Sequence, residues 1–445
     1  MHLFCYTPRM KKVIRNLLLS LAMLPLVVTP GVLSLFLTGK TLFLRAILLA
    51  VAVCICTAFF QDQYFRQEFI ERVQKLFRQP ITIALTIFIG IVGISTLFAF
   101  NTEYSFFSDV VRQEGFLTIS IFYVCYVFLC IYFTKKEWSR FLYLTLVSGA
   151  VLLCVEFYQS IKGMDRPDAL IGNPIFLATY LLFVLYAAKN VFLTWYTNKQ
   201  KSRGIVLLVG ILAVLSVVGI LLTKSRGVIL GLVAGVFISL CYLAFKAPRR
   251  VVFKKLTFNP QKWAIIFCGV ITVFCGTVYV TRTATLWTHV PGINRVVVIS
   301  KNDPTTQARI INAHIALRGF HKEGIQRKLI GWGQDNFVFM WNKYYSPSLF
   351  SFDRAILDRA HNKLIDILVM QGIIGLGAYL GLWVTLVVGI FRMRTRVTDR
   401  VLALFLLASY FTANLFAFDT TVTYLFFFFM IAYITVHLFQ YEPAY

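Results

Sequence analysis

Ile81–Phe100 reads ITIALTIFIGIVGISTLFAF, an uncharged run of about 20 residues, the length a helix needs to cross ~30 Å of hydrocarbon. Leu17–Leu37 and Phe116–Thr134 read the same way. Apolar residues make up 58% of the 445, charged residues only 14%, and the mean hydropathy is +0.74. A soluble chain of this length cannot hide that much apolar surface, so the solvent is a bilayer. Working outward, twelve spans fall at about 16–37, 41–60, 81–100, 116–134, 138–158, 172–195, 204–223, 227–245, 263–281, 363–390, 401–417 and 421–439. The expected fold is an all-α polytopic membrane protein of about 12 transmembrane helices, with one large external loop domain between spans 9 and 10. Its units are a bundle over 1–281, a loop domain over 282–361, and the last three spans over 362–445. Arg9, Lys11, Lys12 and Arg15 precede a full-length first span with no small-residue cleavage site after it, so that helix is read as retained.

The net charge of +25 suggests nucleic acid until its distribution is considered. With the N-terminus in the cytoplasm, cytoplasmic segments hold more than half of the 44 Lys and Arg, including Lys246, Arg249, Arg250, Lys254, Lys255 and Lys262 in one loop and Arg392, Arg394, Arg396 and Arg400 in another. The positive-inside rule then sets both termini in the cytoplasm and makes most of the basic excess a topology signal. Eight of the nine cysteines lie within predicted spans and the ninth, Cys5, is cytoplasmic, which leaves no external disulfide framework.

The external loop reads as a small domain. Asp303-Pro304 is an N-cap followed by proline at the first helical position. Thr305 to Phe320 then has helical spacing, with Ile310, Ala313 and Leu317 as its apolar line. Gly331-Trp332-Gly333 signals a turn. Tyr344, Tyr345, Pro347, Leu349, Phe350 and Phe352 form an aromatic stretch expected to lie on lipid headgroups. Four of the six histidines (His289, His314, His321, His361) fall in this loop, where basic residues outnumber acidic ones, so an external anion is a candidate ligand.

Several motifs recur in order: Ser105-Phe106-Phe107 with Arg112-Gln113-Glu114-Gly115, Gly172-Asn173-Pro174, Thr223-Lys224-Ser225-Arg226-Gly227, Arg309, Gly331-Trp332-Gly333, Arg359-Ala360-His361-Asn362-Lys363, Gln371-Gly372-Ile373-Ile374-Gly375-Leu376 and Asn414-Leu415-Phe416-Ala417-Phe418-Asp419. Taken together they resemble the O-antigen ligase and polymerase superfamily of membrane glycosyltransferases. The resemblance implies a bacterial inner-membrane enzyme whose periplasmic site moves a glycan from an undecaprenyl diphosphate carrier to an acceptor hydroxyl. No cofactor, no metal and no nucleic acid is implied; the partners are the lipid-linked donor, an acceptor (lipid A core or another glycan) and membrane lipids. Motif arginines are implied to hold the diphosphate and the motif histidine to activate the acceptor.

The chemistry suits these residue types. A departing diphosphate needs fixed positive charge, and guanidinium groups pair with phosphate oxygens two at a time. Arg112, Arg226 and Arg309 are the candidates, with Asn362 as a further binding residue. A sugar hydroxyl needs a base of near-neutral pKa, and His361, at the border of loop and span, is the candidate. The acidic pairs Asp165/Asp168 and Asp353/Asp358 are each flanked by arginine, which reads as ion pairing with Arg166 and with Arg354 and Arg359 rather than metal ligation. Ligase, polymerase and protein-glycosylating relatives share a donor site, so these motifs leave the acceptor open. A transporter also fits twelve spans, but ionisable residues at mid-span and paired interrupted helices are missing. The topology has a direct check: a cysteine replacing Ser346 should react with an impermeant thiol reagent from outside, and one replacing Thr257 should not. The reverse pattern would invert the scheme.

Overall fold

The computed structural model describes residues 6–31, 34–197, 203–249, 251–253, 256–297, 299, 303–351, 357–393 and 395–438. Among them the regular structure is helical except for one hairpin. It begins with α1 (Tyr6–Ser20), α2 (Thr38–Gln61), α3 (Gln63–Phe77), α4 (Pro80–Leu97), α5 (Thr102–Phe107) and α6 (Phe116–Tyr132). The bundle continues with α7 (Lys135–Ile161), α8 (Pro174–Thr197), α9 (Arg203–Leu222), α10 (Arg226–Lys246) and α11 (Pro260–Val280). Between α10 and α11, β1 (Val251–Phe253) and β2 (Leu256–Phe258) pair antiparallel, Val252 opposite Thr257, the one departure from an all-α chain. The loop domain holds α12 (Ile293–Val297), α13 (Pro304–Lys322), α14 (Ile325–Ile330) and α15 (Phe337–Lys343). The last helices are α16 (Lys363–Arg392), α17 (Val397–Asn414) and α18 (Thr421–Leu438).

Eight of these helices are long and apolar enough to cross a membrane, and α6 and α18 are apolar but shorter. The expected spans from the second onward coincide with helices. The first does not. In place of a helix over 16–37, α1 starts at Tyr6, tightens into a 3₁₀ turn at Leu21–Leu26 and gives way to extended backbone at Val27. Pro25 sits in that turn without an N–H to donate, and Gly31 follows in left-handed backbone (φ 85°). Lys11 and Arg15 therefore lie on the helix itself: Lys11 pairs with Glu68 of α3, and Arg15 donates to the Tyr132 carbonyl at 3.0 Å.

The alternation expected of the connections is visible in their polar contacts. Segments expected outside meet one another: Arg112 pairs with Asp358, Lys224 with Asp165, Arg226 with Asp303, and Lys363 with Asp419. Segments expected inside do likewise, Arg72 reaching the Ile131 carbonyl at 2.6 Å alongside the Lys11 and Arg15 contacts. In the middle, α18 is apolar on every side and Phe426 to Phe429 are all buried, as a central helix must be. Phe429 stacks on Phe141 of α7 with centroids 3.9 Å apart, and Phe427 on Tyr410 of α17 at 4.9 Å.

The loop domain has its own core, in which Ala308, Ile315 and Ala316 of α13 meet Phe337, Met340 and Trp341 of α15. The apolar line of Ile310, Ala313 and Leu317 is not the buried face: Ile310 and Leu317 stand exposed at 38% and 37%. The small residues on the opposite side of α13 are the buried ones, because only they admit the large side chains of α15; a Cβ on Gly319 would lie 2.4 Å from the Met340 sulfur. The aromatic stretch is also revised: Leu349 is fully buried in this core, and Phe352 lies outside the described residues.

Three glycines lock the loop domain to the bundle. Gly372 breaks α16 with φ 68°, ψ −170°, which turns the Val369 and Met370 carbonyls outward. They accept from the Trp332 and Gly333 amides, both at 2.9 Å, and Ser95 Oγ of α4 also reaches Met370 O at 2.6 Å. The turn supplying those amides holds Gly331 and Gly333 at φ 79° and 105°. Contact is backbone on backbone: a Cβ on Gly331 would sit 2.3 Å from Met370 O, and one on Gly372 would sit 2.3 Å from Leu329 O. Gly372→Ala combines a left-handed alanine, costing on the order of 1–3 kcal/mol, with that clash. It should sharply lower the melting temperature or the yield of folded protein. Gly377→Ala, five residues on in the same helix with open space around it, should be neutral or mildly stabilising.

Candidate functional site

The lock brings the ends of several helices around one cleft. Arg226 opens α10 after a left-handed Lys224 (φ 52°), and Gly227 lets that turn sit on Phe416, to which a Cβ would come within 2.5 Å. From α13, Asp303 caps its own helix by accepting from Thr306 N at 2.9 Å, and also receives Arg226 through both terminal nitrogens, at 2.8 and 3.4 Å. The Arg226 and Thr306 hydrogen bonds hold its carboxyl down at about 2, so Asp303 stays charged and keeps the guanidinium oriented.

Arg309 lies almost two turns along α13. With Arg166, Lys224, Arg226 and Arg295 it lines a small cavity of about 60 Å³ floored by Ala413, Phe416 and Ala417. Burial, then the charges of Arg226, Arg166 and Arg295, pulls the Arg309 guanidinium below its ordinary value. Lys224 is matched by Asp165 and Arg226 by Asp303. Arg166, Arg295 and Arg309 form no ion pair among the described residues; Arg166 donates only to the Thr223 carbonyl, at 3.3 Å. The site thus carries uncompensated positive charge in a partly dry cleft, the arrangement that binds an anion. Arg166 and Arg295 were not picked out in the sequence. Arg166 looked paired with Asp165 and Asp168, but Asp165 goes to Lys224 and Asp168 accepts from Gln159 at 3.1 Å.

His361 stands beside this cleft. It adopts a left-handed backbone (φ 56°), its ring meets Phe418 edge-on at 5.2 Å, and Nδ1 lies 3.4 Å from the Arg359 carbonyl. A carbonyl only accepts, so that contact favours the tautomer with hydrogen on Nδ1 and leaves the Nε2 lone pair available. Burial, then the nearby Arg309 and Arg112, lowers the imidazole pKa from the ordinary 6.5. His289, His314 and His321 are exposed on the loop domain.

The remaining expected site residues have structural partners. Arg112 pairs with Asp358, Nη2 to Oδ1 at 3.1 Å, and lies over the Phe418 ring at 4.8 Å, so it borders His361 rather than the arginine cleft. Asp358, expected to pair with arginines beside it in sequence, is held charged by Arg359 and Arg112 against the effect of burial; Asp353 and Arg354 lie outside the described residues. Asn362 is the N-cap of α16, its Oδ1 accepting from Leu364 N at 3.0 Å and Ile365 N at 3.2 Å. Below them Arg359 is buried between two carboxylates, Asp335 and, at 3.2 Å, Glu114. Glu114 is pushed up to about 7, burial outweighing the pull of Arg359 and Arg112. Acidic residues around the cleft are therefore committed to cations on the protein.

Removing the guanidinium strands two buried carboxylates, a change that typically costs roughly 3–5 kcal/mol. Arg359→Ala should thus abolish folded protein in detergent, while Glu114→Gln, which leaves the Asp335 pair intact, should be recovered folded. The readout is the monodisperse fraction on size exclusion.

No curated protein matches the chain. Residues 211–380 match the family model described as O-antigen ligase, a stretch that contains Arg226, Arg295, Arg309, His361 and the Gly372 break and leaves out Arg112, Glu114 and Arg166. Residues 211–380, somewhat more than a third of the chain, are therefore similar to the O-antigen ligase family, which supports a place for this helical, multi-pass protein beside the O-antigen ligases and polymerases.

Proposed function

We propose that this protein is a glycosyltransferase that moves a glycan from an undecaprenyl-diphosphate carrier onto an acceptor hydroxyl of lipid A core. In this reading it sits in the bacterial inner membrane with both termini cytoplasmic, and the cleft opens to the periplasm. The observation that carries the reading is the convergence of Arg166, Arg295 and Arg309, which have no carboxylate partner among the described residues, beside His361, whose pKa is lowered.

The diphosphate of the donor lies against the guanidinium groups, with Arg226 held in place by Asp303. His361 Nε2 takes the proton of the acceptor hydroxyl as its oxygen attacks the anomeric carbon. The bond from that carbon to the diphosphate oxygen breaks, its electron pair leaving with the carrier, and a new glycosidic bond forms. Negative charge grows on the leaving group, where fixed guanidinium groups are most effective in a site with little water. The leaving group needs no proton, so no general acid is required. The neighbouring cations help the base as well, since they disfavour imidazolium before reaction.

Purified protein with lipid-linked donor and acceptor, without any ion gradient, tests the reading. His361→Ala should lower single-turnover rate by roughly 10²–10⁴-fold with donor binding retained. Arg309→Lys should be nearly as harmful as Arg309→Ala, because a point charge does not replace a bidentate fork. Because the His361 pKa is lowered, its neutral form persists to lower pH, and the acid limb of the rate profile should be centred below 6.5. Normal turnover by His361→Ala, or full activity in Arg309→Lys, defeats the mechanism.

A further inference from the structure

We infer that Asp366 is a positioning residue for His361, holding both chain neighbours of the base in place. The inference rests on the reading of His361 given above. Asp366 lies in the first turn of α16 and is 1% exposed. Its Oδ1 accepts the Ala360 amide at 2.6 Å, and its own amide donates to the Asn362 carbonyl at 2.9 Å. Ala360 and Asn362 are the residues on either side of His361, so one residue brackets the base.

His361 needs such a bracket. A histidine at φ 56° is in a region that L side chains visit at a cost, and it stays there only where its surroundings over-determine the backbone. Two other contacts share the task. Asn312 Nδ2 donates to the Arg359 carbonyl at 3.0 Å, the other side of the Arg359–Ala360 peptide whose N–H Asp366 accepts, and Asn362 caps α16. Among the described residues Asp366 is the one that hydrogen-bonds both the residue before His361 and the residue after it.

The competing explanation is that an acidic residue in the first turn merely favours the helix N-terminus. It fits less well. Asn362 already serves the amides of that terminus, and Oδ2 of Asp366 is buried without a hydrogen-bond partner. An acid kept for the helix end alone would do as well with its carboxylate in solvent. The buried carboxylate is tolerated here beside Arg359, whose charge it feels.

The two explanations separate in the full-length protein assayed with lipid-linked donor. Asp366→Asn keeps an acceptor for the Ala360 amide and should hold kcat within a few-fold of the parent. Asp366→Leu removes it and should lower kcat on the order of 10²-fold, the scale of a misplaced catalytic group, with KM for the donor unchanged. If the leucine variant does not fold, Asp366→Ser, whose shorter side chain does not span to Ala360, takes its place with the same expectation. Because Asp366 acts through His361, adding Asp366→Leu or Asp366→Ser to His361→Ala should cost no further turnover. Normal kcat in the folded leucine or serine variant, a rise in KM alone, or additive losses in the double variant each overturn the inference. Normal turnover by His361→Ala alone is a separate result: it removes the parent reading, and this one falls with it.

Discussion

The buried guanidinium of Arg359 is the contact on which the end of this protein that carries the cleft turns. It joins three stretches far apart in sequence: Glu114 at the start of α6, Asp335 after the Gly331–Gly333 turn, and the residues leading into α16. A charge so placed is costly to desolvate, and only close carboxylates make it tolerable. That cost acts as a register pin. If the loop domain slid against the bundle, the guanidinium and both carboxylates would be stranded together. Neutral contacts extend the pin, since Gln371 donates to Gln334 at 2.8 Å and Gln334 to the Glu114 carbonyl at 2.9 Å. The Gly372 break belongs to the same joint, because it frees the carbonyls on which the turn hangs.

Charge at this end divides into two populations. Arg359, Arg112, Lys224, Arg226 and Lys363 are each matched to an acid, and those pairs hold chain segments in place. Arg166, Arg295 and Arg309 have no such match among the described residues and face one cavity. A fold does not gain by crowding like charges where water is scarce. Such a cluster makes physical sense when an anion completes it, which is the part the donor diphosphate plays in the proposed function. His361 lies where the two populations meet, backed by the pinned segment and close enough to Arg309 and Arg112 to feel their charge.

The bundle was legible in the sequence because hydrocarbon imposes a length and a composition, and eleven of the twelve expected spans coincide with helices. The first failed at Pro25, which mattered more to local geometry than the uninterrupted apolar run around it. In α13 the cap was legible from Asp303-Pro304, but the buried face was not. Ile310 and Leu317 are the larger side chains, yet small Ala308, Ala316 and Gly319 face the core because Met340 and Trp341 already fill it. Hydrophobicity alone does not report which side of a helix has room.

Pairings were the least legible feature of the site, for a related reason. Neighbours in sequence suggested that Asp165 belonged to Arg166 and Asp358 to Arg359, whereas both acids reach cations from other segments. Adjacent side chains on an irregular stretch tend to diverge, so proximity in sequence is weak evidence for an ion pair. Once Asp165 is given to Lys224, Arg166 is left without an acid, and a residue that looked structural becomes part of the cleft. Arg112 moves the other way, from a presumed phosphate ligand to a partner of Asp358 under Phe418. What several of the motifs mark is a place where the backbone turns sharply or approaches another segment closely. Gly227 against Phe416, Gly331 against Met370 and Gly372 against Leu329 are such approaches, and together they determine where Arg226 and the segment carrying His361 come to rest.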